Sequence, residues 1–111
     1  IDFKNVEKAI TKNTKIVFPI YMNGRSANIK RLKKVCKRKK IFLVEDAAQA
    51  HGSSLNGTKA GNFGVASGFS FFSTKVMTTG EGGMVTTNQK DLVPVMKSMR
   101  EFAEPVAVLL L

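Results

Sequence analysis

Apolar residues come in short blocks separated by polar, glycine-bearing stretches. Val6, Ala9 and Ile10 fall at helical spacing, so Asn5 to Ile10 predicts a short helix, broken by Asn13-Thr14. Lys15 to Tyr21 (KIVFPIY) is an apolar, β-branched run and predicts a buried strand. Pro19 has no N–H for a ladder, so that strand effectively stops near Phe18, with a loop at Met22-Asn23-Gly24. Ser26 or Asn28 caps a helix running to about Lys39. Ile29, Leu32, Val35 and Cys36 share one face of it, and lysines and arginines fill the other. Ile41 to Val44 is a continuous apolar run, the pattern of a parallel strand covered on both faces. Strand, amphipathic helix and strand make a βαβ unit with a right-handed crossover.

The second half repeats the alternation with more glycine. Ala47 to Ala50 has room for one helical turn, and Gly52 to Gly64 reads as loop with an edge strand at Ser54-Leu55. Gly68 to Phe72 predicts a strand interrupted only by Ser70; Phe69, Phe71 and Phe72 read as core. Thr78 to Gly83 (TTGEGG) is a tight turn region, followed by a strand over Gly83 to Thr87. Gln89 to about Phe102 predicts a helix with Leu92, Val93, Met96 and Met99 inward and Pro94 in its first turn, where proline is tolerated. The pattern as a whole is α/β with a mostly parallel sheet.

In open α/β sheets ligands bind outside the carboxyl ends of the strands. Polar residues cluster there: Glu45-Asp46 after one apolar run, Ser70 to Lys75 around another. An acid in that place is either a cap or loop carboxylate or a group facing a ligand cation, and Lys75 alone is one lysine among many. Their combination is what points to a site.

Composition narrows the picture. The chain has 111 residues, enough for one small core, and 43% apolar residues exclude a disordered chain. No run is long and apolar enough to cross a bilayer. Cys36 is the one cysteine, more plausibly packing than a nucleophile; it has no disulfide partner within the chain, which fits a reducing, cytoplasmic setting. One histidine and one cysteine are too few for a metal site. The start, Ile1-Asp2-Phe3-Lys4, looks internal to a longer reading frame. The net charge is +10, and eight of the eleven residues from Lys30 to Lys40 are basic. That run reads first as a solvated helix face with lysine stems on apolar surface. A nucleic-acid patch is the weaker reading, because no aromatic residues interleave the run to stack on bases.

Taken together, EDAAQAHGS and GFSFFSTKVMTTGEGGMVTTN, with KNTKIVFPIYMNGRSANI upstream, closely resemble the DegT/StrS family of sugar aminotransferases that use pyridoxal 5'-phosphate (PLP). The resemblance covers roughly residues 2 to 100. It implies the large-domain fold of the aspartate aminotransferase-like class for residues 1–103, and leaves 104–111 as an atypical apolar tail. It implies that Lys75 forms the Schiff base with PLP, that Asp46 partners the pyridine nitrogen, that Gln49 contacts the ring hydroxyl and that Ser70 binds the phosphate. His51 falls in a matching position beside the ring. The family also contains sugar dehydrases with histidine in place of the lysine, so Lys75 favours amino transfer. The implied reaction moves an amino group, with glutamate the usual donor, to a nucleotide-linked keto-sugar in polysaccharide or aminosugar biosynthesis, in a homodimer. Two alternatives stand beside it: an inactive truncated remnant and a basic nucleic-acid-binding module.

Overall fold

Helix α1 (Phe3–Ala9) starts where the Asp2 carboxylate accepts the Lys4 N–H at 2.8 Å. The computed structural model describes residues 2–26, 28–101 and 106–110, with Glu101 and 106–110 described by their backbone. Strand β1 is only Ile16–Val17. Pro19 ends the ladder as its missing N–H requires, yet its carbonyl accepts the Asp46 N–H at 3.0 Å, so the chain rejoins the sheet at Ile20. A 3-10 turn at Met22–Gly24 follows, then helix α2 (Ile29–Lys39). Asn28 occupies the N-cap position, but its side chain makes no capping bond.

Strand β2 (Phe42–Asp46) runs two residues beyond the apolar block that predicts it. β3 (Ser54–Leu55) and β4 (Thr58–Lys59) form an antiparallel hairpin around Asn56-Gly57, both at positive φ (51° and 78°), the geometry for which Asn-Gly is preferred. β5 is Ala66–Ser70, β6 is Gly83–Thr87, α3 is Leu92–Glu101 and β7 is Val106–Leu110.

The main sheet has the order β1-β2-β5-β6-β7. β1, β2 and β5 are mutually parallel, β6 runs antiparallel to β5, and β7 lies parallel to β6. The tail therefore continues the sheet as an edge strand; Glu104, Pro105 and Leu111, like Phe102 at the expected helix end, lie outside the described residues.

Strand alternation divides the sheet residues between two faces. Val17, Leu43 and Glu45 point to the face covered by α2, where Ile29, Leu32, Cys36, Ala47 and Phe63 complete the core. The other face is open: Ile16, Phe18, Ile20 and Phe42 are 53%, 56%, 53% and 59% exposed. The expected cover on both faces of β2 is thus corrected. An apolar run shows that a strand has two apolar faces, but not which of them another element covers. Two smaller corrections have local causes. Met99 is 69% exposed rather than inward, since it lies in the last turn of α3 beyond the half-buried Leu92, Val93 and Met96. Phe72, expected in the core, is 44% exposed because it stands in the loop past the end of β5.

Candidate active site

The carboxyl ends of β1, β2 and β5 open on the same edge of the sheet, and the polar residues singled out by sequence collect there. Asp46 is the last residue of β2 and pairs in register with Gly68 of β5. Ser70 is two residues further along β5, so Asp46, Gly68 and Ser70 lie on one face, the open one. With strands about 4.8 Å apart and a rise of about 3.3 Å per residue, the Asp46 and Ser70 Cα atoms are about 8 Å apart. A Cβ built on Gly68 meets no heavy atom within 4 Å, leaving an unobstructed floor between them.

Each of these side chains is half-tied, with capacity left over. Asp46 Oδ1 accepts the Ala48 N–H at 3.0 Å, capping the turn that follows the strand, while its second oxygen remains available. Both readings of this acid, cap and ligand group, are therefore compatible. Ser70 Oγ accepts the Phe72 N–H at 3.3 Å and keeps its own hydrogen to donate. Gln49 Oε1 accepts the Asn23 N–H at 2.9 Å, which fixes the amide and turns its NH₂ into the remaining donor. Lys75 is half-buried in the loop after β5, its backbone N–H donating to the Phe72 carbonyl at 3.0 Å. That loop is closed by the Phe72–Gly80 bridge and by the Phe71 carbonyl, which accepts from both the Thr78 hydroxyl (2.9 Å) and the Thr79 N–H (3.0 Å).

His51 is placed differently. Its ring packs against Phe69 and Phe71, at 5.5 and 5.4 Å between centroids, and Phe69 alternates onto the face opposite Asp46 and Ser70. Both ring nitrogens are buried without a hydrogen-bond partner among the described residues.

Glu45 parts company with its neighbour. It is fully buried on the α2 side, where its carboxylate accepts from Tyr21 OH (2.5 Å) and from the N–H groups of Gly61 (3.0 Å), Phe63 (2.7 Å) and Gly64 (2.6 Å). Burial, and then the bond to and negative charge of Glu45, push the Tyr21 phenol well above its ordinary range. The sequence grouped Glu45 with Asp46 as one acidic pair; a period-two pattern through Phe42–Asp46 is the signal that separates them. Tyr21 and Gly68 carried no signal of their own in the sequence.

Away from this edge, the basic residues of α2 are all exposed, as a solvated face requires. Arg31 stacks over the Phe3 ring at 4.7 Å and Arg38 pairs with Glu7 on α1. Cys36 is buried, which raises its thiol pKa and disfavours the nucleophilic thiolate. No cluster of metal-ligating side chains occurs among the described residues.

Comparison with known proteins fixes the lineage. The model of the DegT/DnrJ/EryC1/StrS aminotransferase family matches residues 1–106. The chain belongs to this family. Among the family's curated members, a GDP-perosamine synthase of Caulobacter vibrioides is 39% identical over 100 residues, 90% of this chain and 27% of that protein. An L-glutamine:2-deoxy-scyllo-inosose aminotransferase of Streptomyces kanamyceticus is 41% identical over 100 residues, 90% of this chain and 23% of that protein. Among solved structures, Helicobacter pylori PseC, an aminotransferase of pseudaminic acid biosynthesis, superimposes with a TM-score of 0.85 at 35% identity, over 90% of this chain and 27% of PseC. The chain thus has the family's fold and spans about a quarter of the length of these relatives.

Proposed function

We propose that this chain forms the cofactor-holding part of a PLP-dependent aminotransferase acting on a nucleotide-linked keto-sugar. The observation that carries the reading is the shared open face: Asp46 and Ser70 flank the bare Gly68 floor at the same strand ends from which the Lys75 loop departs. A span of about 8 Å suits a pyridine ring with a phosphate arm. When bound, PLP supplies an electron sink for a carbanion at the substrate carbon.

The chain's own residues have distinct tasks around it. The available oxygen of Asp46 would partner the pyridine nitrogen and favour its protonated form. A charge pair about 4 Å apart at an effective dielectric near 20 is worth roughly 4 kcal/mol, about 3 pKa units before desolvation. The Gln49 NH₂, aimed by Asn23, would be the donor for the ring oxygen. The Ser70 hydroxyl would be a donor for a phosphate oxygen. Lys75 would hold the cofactor through its primary amine and, as a free amine, could move a proton at the substrate carbon; arginine in its place keeps the charge and loses the nucleophile. His51, whose ring packs on Phe69 and Phe71, would bear on the cofactor site from its edge.

The substrate class rests on relatives named for GDP- and dTDP-linked sugars; another is named for glutamine and an inosose, and glutamate is the proposed donor here. Val76 and Met77, next to Lys75 and 87% and 58% exposed, suit burial against a second copy of the chain. The lone buried Cys36 suits a cytoplasmic site of action. The test is a PLP titration followed by visible absorbance. Wild type develops the band of lysine-bound cofactor, Lys75→Ala does not, and Asp46→Asn binds more weakly with a displaced pH midpoint. A band of equal strength in Lys75→Ala removes the proposal.

A further inference from the structure

Glu45 is a carboxylate with no solvent exposure and, among the described residues, no cationic partner. Burying such a charge is costly unless every lone pair is used. Here all the compensation comes from dipoles. Oε1 takes the N–H groups of Phe63 and Gly64, and Oε2 takes the Tyr21 hydroxyl and the Gly61 N–H. Three segments far apart in sequence, the stretch after β1 at Tyr21, the end of β2 and the 61–64 loop, converge on this single group.

The Tyr21 connection runs through the sheet to the proposed cofactor face. The same residue that donates its hydroxyl to Glu45 donates its backbone N–H to the Asp46 carbonyl at 3.0 Å. It also leads into the Met22–Gly24 turn, where the Asn23 N–H holds Gln49 Oε1. Asp46 and Gln49 are therefore referenced to one anchored tyrosine. We infer that Glu45 is a positioning residue, setting Asp46 and Gln49 from behind the sheet through Tyr21. The inference rests on the PLP reading given above and adds to it a residue that never touches the cofactor.

The test compares Glu45→Gln, Tyr21→Phe, Asp46→Asn and Ile29→Val in the full chain. Readouts are PLP affinity and the pH midpoint of the lysine-bound absorbance band, at a temperature where circular dichroism shows each variant folded. Glu45→Gln sets an amide NH₂ against N–H donors that address both oxygens, and is the harsher change. Tyr21→Phe removes one hydroxyl and leaves the carboxylate its three backbone donors. Tyr21→Phe is expected to weaken PLP binding about tenfold and displace the midpoint in the direction of Asp46→Asn. Ile29→Val trims the same core away from the Glu45 bonds and is expected to lower Tm while leaving both readouts at wild-type values. If Asp46→Asn alters them and Tyr21→Phe does not, the positioning role fails and the PLP reading stands. If Asp46→Asn alters nothing, both fail. A change in Ile29→Val as large as in Tyr21→Phe, or a Tyr21→Phe chain that does not fold, reduces Glu45 to a folding requirement and overturns the inference. Should only Glu45→Gln fail to fold, Tyr21→Phe decides alone.

Discussion

Gly68→Ala separates the stability of the sheet from its proposed use. Gly68 lies inside β5 at a φ any residue adopts, and its added Cβ meets nothing within 4 Å. Glycine in a strand interior costs roughly 0.5–1 kcal/mol relative to alanine, mostly through the freedom of the unfolded chain. The variant should therefore gain about that much, raising Tm by about 2–6 °C. Ligand binding should move the other way. The methyl stands about 1.5 Å above the floor, so a ring resting there must rise or compress, at about 1–3 kcal/mol. A rise that stretches the Asp46 pair from about 4 to about 5.5 Å forfeits about 1 kcal/mol at a dielectric near 20. Together these predict PLP binding weakened about 30- to 900-fold in a protein that melts higher. A thermal melt by circular dichroism and an absorbance titration with PLP read the two quantities. Wild-type affinity in a well-folded Gly68→Ala chain would refute the placement of the cofactor over this floor.

Other perturbations address the supports. Gly64→Ala drives a Cβ to 2.4 Å from the Leu43 carbonyl, with backbone on every near side, and must disturb the Gly64–Glu45 and Val65–Leu43 bonds; a loss of about 2–4 kcal/mol is expected in urea unfolding, and unchanged stability would contradict the 61–64 geometry. Tyr21 is the only tyrosine and there is no tryptophan, so ultraviolet absorbance follows its phenol directly. Its folded pKa is raised, so its contribution to stability is complete below the unfolded value near 10 and is lost as pH rises toward the folded one. The phenolate signal should appear well above pH 10 and together with unfolding; ordinary titration near pH 10 in a folded chain would refute the buried Tyr21–Glu45 bond. Glu7→Gln removes the Arg38 partner on an exposed surface and should change stability by less than about 0.5 kcal/mol, as measured by the same melts.

How far the sequence discloses the molecule depends on whether the deciding contact is local. Helix α2 and strands β2 and β6 follow from apolar spacing within single segments, as does the strand-end position of Asp46; β5 starts and stops two residues earlier than the Gly68 to Phe72 block that predicts it, so Ser70 ends the strand instead of interrupting it. Pro19 shows where β1 stops, but the return of Ile20 to the sheet depends on Asp46, 26 residues away. The sequence discloses the edge strand at Ser54-Leu55 but not its partner Thr58–Lys59, although Asn56-Gly57 favours the positive φ of a hairpin turn. Glu45 and Asp46 look alike as letters, and only the pleat sends one inward and the other outward. The packing of His51 on Phe69, and the exposure of Phe42, depend on which surfaces lie opposite, and no spacing rule encodes that.

Covalent capture at Lys75 tests the central claim most directly. PLP is added, the adduct is fixed with borohydride, and the modified peptide is identified by mass spectrometry after digestion. The account predicts label on Lys75 at one equivalent, sharply reduced by Asp46→Asn. Label scattered over the lysines of α2, with Lys75 modified no more than they are, would contradict it.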